Sequence, residues 1–510
     1  MRLLASPTNA EWAIFVLIFV GLGSFIGIAE FIRKKLNWSP EVTRKLVHIS
    51  TGILIFFVPR LFSSGIPAIL LGLVFALVNF AAVRFGLLKG IHGTNRRSYG
   101  TVYYPLSFLI LVLLFWDSVP QIISISILVL PLSDAAAAIV GENLAAPHLY
   151  YLTSDKKSIE GSATMFATTL FVVLFLLNSS LALNSGPRLN LDFRFTLLLA
   201  LAVSLFVTAW EAISSKGFDN LTIPLSAAFV LHYFLVQLPH HHHEQFLLGM
   251  ALAAAMAIAS SYFRFLSASG SVGTFLLATI IFGVGGWQWT IPILTFFILS
   301  SLLSKLGKRK KAEFQLMFEK TDTRDAGQVA ANGSVAGIMM LCWYIYPENN
   351  VWYLVYLASL AAVTADTWGT EIGLLAKGSP RSITSLRKVE TGTSGGVSLP
   401  GFAGGALGAS LLALSGSFWF RGSAPTFTFI IIICSGILGA LVDSLLGATV
   451  QAQYRCTVCG KITERTLHCG TSSMLVRGVR WIDNDVVNWA CALAGGIFLF
   501  LMRAGSSVMP

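Results

Sequence analysis

The stretch SDAAAAIVGENLAAPHLYYLTSDKKSIEGS, residues 133–162, joins the end of one long apolar run to the start of the next. Asp134 lies where the first run would leave the lipid, and an uncompensated carboxylate there is costly enough to indicate a functional residue. Lys157 and Gly161 follow in the loop; Mg²⁺ prefers carboxylate and phosphate oxygens, and lysine supplies a mobile positive charge. The stretch therefore favours a metal–phosphate site, with a capped helix end and a solvated charged loop as the structural alternative.

The composition of the chain is that of a membrane protein. Of its 510 residues, 55% are hydrophobic and only 12% are charged, which is far too apolar for an ordinary soluble domain. Apolar runs of helical length recur from residues 12–32 onward, and we count about sixteen of them. The first is too long for a secretory signal peptide. We therefore expect an all-α polytopic membrane protein.

The net charge of +11 at neutral pH has a topological explanation. When Met1 is placed outside, most of the 35 Lys and Arg residues fall in cytoplasmic loops, as the positive-inside rule requires. This predicts a multi-pass protein of the plasma (inner) membrane, with both termini outside and the charged loops in the cytoplasm. The lipid bilayer is then the partner that the charge implies, and a nucleic-acid partner is unnecessary.

The cytoplasmic loops of the first half carry five distinctive motifs. They read RKLVHISTG (44–52), RRSYGTVYYP (96–105), SDAAAAIVG (133–141), KKSIEGS (156–162) and EAISSKGFDNLTIPL (211–225). Over residues 41–225 these strings resemble the phytol kinase and dolichol kinase family of polyprenol kinases. The resemblance implies transfer of the terminal phosphate of CTP, or of another nucleoside triphosphate, to the hydroxyl of an isoprenoid alcohol. CDP-diacylglycerol synthases share only the acid and the Lys-x-x-Glu-Gly outline, so cytidylyl transfer to a lipid phosphate is an alternative.

The resemblance also implies roles for individual residues of the first half. By position, Mg²⁺ binds Asp134 and Asp219, while Lys157 and Arg97 contact the phosphates. Glu160 or Asp219 accepts the proton of the alcohol, and the sequence alone does not choose between them. The remaining nucleotide-binding candidates are Gly161 and Asn220.

The cytoplasmic loops of the second half carry a different set of motifs. They read RDAGQVAANG (324–333), ADTWGTEIG (365–373), VETGTSGGVS (389–398), DSLLGATVQ (443–451) and NDVVN (484–488). Over roughly residues 246–500 these strings resemble a membrane family that includes animal transmembrane protein 19 and the plant chloroplast phytyl-phosphate kinase. The resemblance implies a second phosphorylation, from prenyl phosphate to prenyl diphosphate. We therefore expect a fusion of two membrane domains, 1–244 and 245–510, in which the product of one site is the substrate of the other.

Asp366 and Asp443 are the catalytic candidates of the second half, and Asp366 is its predicted Mg²⁺ ligand. The glycines and hydroxyls of 392–396 are typical of a backbone cradle for a phosphate, although Gly-Ser richness alone also marks flexibility. The predicted nucleotide-binding residues of this half are Arg324, Gln328, Asn332, Glu371, Lys388, Ser394, Gly395, Gly396, Asn484 and Asn488.

The last cytoplasmic loop contains a candidate zinc knuckle. In RCTVCGKITERTLHC (455–469), Cys456 and Cys459 form a Cys-x-x-Cys pair that is followed by His468 and Cys469. Structural zinc takes four such ligands in a tetrahedral arrangement, so we predict a structural Zn²⁺. Two adjacent residues are awkward as joint ligands, and reduced cytosolic cysteines without a metal are the alternative.

The candidate residues of the two halves recur at nearly constant spacing, which predicts two parallel eight-helix repeats, each with its own phosphoryl-transfer site. Chance recurrence at polar helix ends is the alternative explanation. A transporter with parallel repeats is the competing function, but its site would lie near the middle of the bilayer, whereas these charged motifs gather at cytoplasmic helix ends. The proposed pairs are Arg97 with Arg324, Asp134 with Asp366, Lys157 with Lys388, and Asp219 with Asp443.

Overall fold

The computed structural model describes residues 2–38, 40–85, 99–179, 191–236, 242–306, 323–420 and 425–506. The chain divides into two compact units, Met1–His243 and Glu244–Pro510, which are described separately below. Both units are built mainly from long helices, with short antiparallel strands in the loops. The all-α membrane class expected from the composition is confirmed.

In the first unit, helices carry nearly all of the described structure, and one short hairpin of two strands interrupts them. The elements are α1 (Asn9–Leu36), α2 (Pro40–Phe56), α3 (Val58–Leu61), α4 (Ile66–Phe85), α5 (Gly100–Phe115), α6 (Pro120–Asn143), β1 (Leu149–Tyr150), β2 (Lys157–Ser158), α7 (Ile159–Asn178), α8 (Phe193–Ile213) and α9 (Asp219–Leu235).

The second unit has a similar hairpin and, in addition, a ribbon of five short strands before its last helix. The elements are α10 (His242–Tyr262), α11 (Ala268–Lys305), α12 (Ala326–Ile345), α13 (Val351–Leu375), β3 (Arg381–Ser382), β4 (Gly396–Val397), α14 (Leu399–Ser417), α15 (Pro425–Thr449), β5 (Gln453–Arg455), β6 (Ile462–Thr463), β7 (Leu467–His468), β8 (Thr471–Ser472), β9 (Met474–Arg477) and α16 (Asn484–Ser506).

Among the described residues, 12 helices are long and apolar enough to cross a membrane, so the predicted count of sixteen is not confirmed. Two of the predicted spans lie in the single 38-residue helix α11, which is broken at Gly286 by a φ of +61°. Helices α5 and α9 have only 16 and 17 residues. Helix α13 carries Asp366 and Glu371, which lower its mean hydropathy. Acids are tolerated in this helix because protein, not lipid, surrounds much of it.

Each unit is centred on the helix that bears its first candidate acid. In α6 every residue from Gln121 to Pro131 is buried, and in α13 every residue from Tyr353 to Ala365 is buried. A helix that is apolar and buried all round must be enclosed by its neighbours. The buried core of each unit therefore leads directly to its acid, Asp134 or Asp366.

The two units repeat one order of elements around this central helix. In each, a helix precedes the acid-bearing helix, a two-stranded antiparallel hairpin follows it, and three more long helices complete the unit. The central helix packs against the first helix after the hairpin and against the last helix of its unit, that is, α6 against α7 and α9, and α13 against α14 and α16. This shared pattern supports a repeat from the helix before the acid onward, but the predicted eight helices in each unit are not confirmed among the described residues.

The contact between the central helix and the helix after the hairpin has the same local chemistry in both units. Ser158 and Ser398 cap α7 and α14 by accepting hydrogen bonds from the backbone N–H of Gly161 (3.1 Å) and Gly401 (3.2 Å). A Cβ on Gly161 would lie 3.3 Å from the carbonyl oxygen of Ala137, and one on Gly401 would lie 2.8 Å from that of Gly369. Each glycine therefore allows the two backbones to approach closely.

Candidate functional site

Asp134 is the centre of the site in the first unit. It lies nine residues before the end of α6 at Asn143, so the helix continues well beyond the point where the sequence placed its end. Four charged side chains from other parts of the unit lie close enough to interact with it electrostatically. They are Asp219, Arg44, Glu211 and Lys157.

Lys157 and Glu211 form a sheltered ion pair in this site. The Nζ–Oε1 distance is 2.6 Å, and the two side chains are only 12% and 13% exposed. The same ammonium group donates a hydrogen bond to the backbone carbonyl of Glu211. Burial opposes the charge, but the carboxylates of Glu211 and Asp219 outweigh it and raise the pKa of Lys157. Lys157 is therefore held as a cation beside the acids.

Glu160, one of the two predicted proton acceptors, makes its contacts elsewhere. Its carboxylate lies 2.6 Å from the Nδ1 atom of His148 and accepts the backbone N–H of the same residue at 3.0 Å. The structure therefore places Glu160 with an exposed histidine and not with Lys157. Asp219 keeps its predicted place near Asp134, and the amide of Asn220 donates to its Oδ1 atom at 2.8 Å.

Gly161 and Arg97 were also predicted to bind the nucleotide in the first unit. Gly161 serves the close packing of α7 against α6 described above. Arg97 lies outside the described residues. The structure adds Glu211 and Arg44, which the sequence analysis did not select. Both stand in the motifs that carried the family resemblance, EAISSKGFDNLTIPL and RKLVHISTG, and that position is the signal that pointed to them.

Asp366 and Asp443 form the centre of the site in the second unit. Their carboxyl groups share a hydrogen bond between α13 and α15. The Oδ2 atom of Asp443 is buried without a hydrogen-bond partner, and no Lys or Arg in the described ranges forms an ion pair with either carboxyl group. Buried carboxylates without a basic partner are costly, and Mg²⁺ prefers oxygen ligands. These two side chains therefore fit a Mg²⁺ ion.

The predicted glycine loop lies beside this acid pair. Gly395 has a φ of +78°, and a Cβ there would lie 2.6 Å from the carbonyl oxygen of Ser444, the residue after Asp443. Ser394 donates a hydrogen bond from Oγ to Glu464 at 2.7 Å, and Glu464 also interacts electrostatically with Asp443. Gly396 pairs with Ser382 in the β3–β4 hairpin. The loop is thus ordered by packing and hydrogen bonds around the acids.

Helix α16 supplies the remaining predicted residues. Asn484 and Asn488 lie in its first two turns, and Cys491, one turn further on, is close enough to interact electrostatically with Asp366 and Asp443. The first turns of α16 therefore approach the acid pair. Lys388, in contrast, lies in an exposed part of the loop between β3 and β4.

Two of the proposed pairs between the halves are wrong in position. Lys157 directly precedes the capping serine of α7, and the residue that precedes the equivalent serine of α14 is Val397, not Lys388. Asp443 lies within α15, the counterpart of α8, so its partner in the first unit is Glu211. Asp219 begins the last helix of its unit, as the segment around Asn484 does in the other. Spacing along the chain could not show which residues of the two units occupy corresponding positions in the fold.

A cavity of about 270 Å³ lies between α10, α11 and α12 of the second unit. Its walls are almost entirely apolar, but Arg324, Gln328 and Asn332 line one part of it. The guanidinium group of Arg324 lies 5.4 Å from the centre of the Phe296 ring, and Glu371 interacts with it electrostatically. Burial lowers the pKa of Arg324 to about 10, so the group remains charged at neutral pH. The cavity thus combines an apolar chamber with a buried cation.

The four predicted zinc ligands are brought together in the ribbon of the second unit. The ligand atoms of Cys456, Cys459, His468 and Cys469 all lie within 4.8 Å of one another. Cys456 and Cys459 come from the turn after β5, and His468 and Cys469 lie at the end of β7 and directly after it. Their donor set and spacing fit the predicted Zn²⁺.

Comparison with known proteins matches the family model Integral membrane protein DUF92 over residues 251–496. Protein PGR of Arabidopsis thaliana is 28% identical over 48% of this chain and 91% of its own length. An uncharacterized membrane protein of Methanocaldococcus jannaschii is 33% identical over 40% of this chain and 82% of its own length. The phytol kinase of Synechocystis is 33% identical over 43% of this chain and 90% of its own length. No solved structure matches the chain.

Proposed function

Because the chain belongs to the integral membrane protein DUF92 family and to a polyprenol kinase-like family, we propose that it is a bifunctional membrane kinase of isoprenoid alcohols. The first unit converts a prenol, such as phytol, into its monophosphate. The second unit converts the monophosphate into the diphosphate. CTP, or another nucleoside triphosphate, is the phosphoryl donor in both steps, and Mg²⁺ accompanies it.

One observation carries this proposal: in each unit, acidic side chains gather around an acid that follows the buried stretch of the central helix. Asp134 has Asp219 and Glu211 as neighbours; Asp366 has Asp443, which in turn interacts with Glu464. Phosphoryl transfer requires little covalent chemistry from the protein beyond positioning and charge neutralisation. Such carboxylates would hold Mg²⁺, which would supply the positive charge that neutralises the donor's phosphates.

In the first unit, Asp134 and Asp219 would hold Mg²⁺, and Lys157 would contact the donor's phosphates. The oxygen of the alcohol forms a bond to the terminal phosphorus, the bond from that phosphorus to the bridging oxygen breaks, and the nucleoside diphosphate leaves. The proton of the hydroxyl passes to a carboxylate. Of the two predicted acceptors, Asp219 is favoured over Glu160 because Glu160 is paired with His148.

In the second unit, Asp366 and Asp443 would hold Mg²⁺. A phosphate oxygen of the prenyl monophosphate forms a bond to the donor's terminal phosphorus, the bond from that phosphorus to the bridging oxygen breaks, and the nucleoside diphosphate leaves. The apolar cavity between α10, α11 and α12 suits an isoprenoid chain. The cation of Arg324 in the cavity wall suits the monophosphate group of that substrate, because a guanidinium group forms strong charge-assisted hydrogen bonds to phosphate oxygens.

The experiment is to incubate the purified full-length protein with phytol, geranylgeraniol or farnesol and with each nucleoside triphosphate in turn. Monophosphate and diphosphate products are separated and quantified, together with the nucleotide products. The proposal predicts both prenyl phosphates and a nucleoside diphosphate. Release of inorganic pyrophosphate with a cytidylylated lipid would instead establish a cytidylyltransferase. Exchange of Asp192, an exposed helix-capping acid, for Asn is the matched control for acids of the site.

A further inference from the structure

The zinc-ligand cluster lies in the same ribbon that carries Glu464. Glu464 is located between the two halves of the cluster, after Cys459 and before His468. Its Oε1 atom accepts hydrogen bonds from Ser394 at 2.7 Å and from the amide of Gln451 at 3.0 Å. The ribbon therefore extends from the cysteine cluster to the acid pair of the second unit.

The turn after β5 surrounds the Sγ atom of Cys456 with backbone hydrogen-bond donors. The Sγ atom of Cys456 accepts hydrogen bonds from the backbone N–H groups of Val458 (3.4 Å) and Cys459 (3.5 Å). Backbone N–H donors of this kind favour the thiolate form that zinc requires. Cys456 is also buried, although it lies in a loop.

The adjacent ligands His468 and Cys469 are compatible because of the conformation of Cys469. Successive side chains of an extended strand point to opposite faces, which would separate two neighbouring ligands. Cys469 has a φ of +50°, in the left-handed region, and Gly470 follows with +75°. The Sγ atom of Cys469 consequently lies 3.2 Å from the Nδ1 atom of His468, and that of Cys459 lies 3.6 Å from the same atom. Zn–S bonds of about 2.3 Å put tetrahedral ligand atoms at similar separations.

We propose that Cys456, Cys459, His468 and Cys469 bind a structural Zn²⁺ that clamps the ribbon and thereby holds Glu464 beside Asp443 in the second site. The effect on catalysis rests on the proposed function of that site, whereas the binding of zinc does not. Glu464 acts as a positioning residue, since its carboxylate fixes Ser394 of the glycine loop and Gln451 after α15.

The clamp would add to the few contacts that close the ligand-bearing part of the ribbon, which include a hydrogen bond between the Thr457 and Thr471 hydroxyls at 3.1 Å. The β7–β8 hairpin has two paired residues on each strand, and β5 pairs with β6 through only two. Strands this short do not hold their geometry without a further constraint. In small metal-bound ribbons the metal supplies the missing stability. Loss of the metal is therefore expected to release Glu464 from Ser394 and Gln451.

The first phosphorylation serves as an internal control for this proposal. In the part of the chain that the structure describes, the only Cys/His group whose ligand atoms converge in this way is the one in the ribbon, so none occurs among the described residues of the first unit. Loss of zinc should therefore reduce the second phosphorylation and leave the first unchanged. A general effect on folding would reduce both.

The first test measures the metal itself. Metal analysis of the purified full-length protein should find one zinc per chain, and Cys456→Ser should remove it, whereas Cys434→Ser, at an exposed cysteine outside the cluster, should not. Protein produced with Co²⁺ should show the absorption bands of a tetrahedral thiolate site. A wild-type protein that retains no stoichiometric metal and gives no such spectrum would overturn the proposal, whatever its kinase activity.

The second test measures the clamp. Trypsin should cut at Lys461 and Arg465 at least tenfold faster after zinc is removed by a chelator or by Cys456→Ser, and added zinc should restore protection of the chelated protein.

In the kinase assay, Cys456→Ser and Glu464→Gln should each lower diphosphate formation at least tenfold with monophosphate formation unchanged, and Glu464→Gln should keep its zinc. Unchanged proteolysis, or unchanged diphosphate formation in an active enzyme, would refute the positioning role. Absence of all diphosphate formation in the wild type would count against the proposed function alone.

Discussion

The ion pair between Lys157 and Glu211 allows a structural role to be separated from a catalytic one. Lys157→Met would leave the Glu211 carboxylate, which is 13% exposed, without its partner at 2.6 Å. Removal of one member of a buried pair typically costs about 3–5 kcal/mol. We expect that loss in the stability of the first unit, together with loss of monophosphate formation.

The double variant Lys157→Met/Glu211→Leu removes both charges. Replacement of a buried pair by apolar residues of similar volume is often neutral or stabilising, so stability should return to within about 1 kcal/mol of the wild type. Monophosphate formation should remain at least a hundredfold reduced, because the donor's phosphates still lack the lysine. Thermal unfolding in detergent measures the first quantity, and conversion of the prenol by the same preparation measures the second.

The matched control is Arg33→Met, which breaks a more exposed pair with Glu30 on α1. Those side chains are 24% and 33% exposed, and such a pair contributes about 0–1 kcal/mol. Recovery of full activity by the double variant would refute the reasoning, since Lys157 would then serve only to neutralise Glu211.

Three further predictions concern single residues. Glu160→Gln should retain monophosphate formation within about twofold in the same assay, because its carboxylate contacts a histidine away from the acids. Ala278→Phe, in the cavity wall, should raise KM for a prenyl monophosphate of four isoprene units at least tenfold and spare one of two units, whereas Ala255→Phe on an exposed face of α10 should change neither. Gly161→Ala should destabilise the first unit by about 1–3 kcal/mol in thermal unfolding, whereas Gly23→Ala, with open space around it, should not.

The sequence was sufficient to predict the membrane class and the two central acids. Hydropathy reports the environment of each segment locally, so apolar runs identify membrane helices without knowledge of their neighbours. Asp134 and Asp366 each interrupt such a run, and a carboxylate in that position is informative by itself. The number of spans was less predictable, because the break at Gly286 and the acids of α13 change how apolar runs divide into helices.

Side-chain partners across long separations could not be predicted from spacing. Lys157 is three residues from Glu160 but pairs with Glu211, 54 residues away, because α7 and α8 pack side by side. The equivalence of Asp443 with Glu211 likewise depends on which helices correspond. The left-handed backbone of Cys469, which reconciles two adjacent ligands, has no signal in the sequence beyond the glycine that follows it.

The most direct test of two separate sites is a product analysis of Asp134→Asn and Asp366→Asn in the full-length protein. Given a prenol and CTP, Asp366→Asn should accumulate the monophosphate without diphosphate, and Asp134→Asn should form neither. Given a prenyl monophosphate and CTP, Asp134→Asn should still form the diphosphate at the wild-type rate. Diphosphate formation by Asp366→Asn, or loss of both steps in each variant, would contradict the account of one phosphoryl-transfer site in each unit.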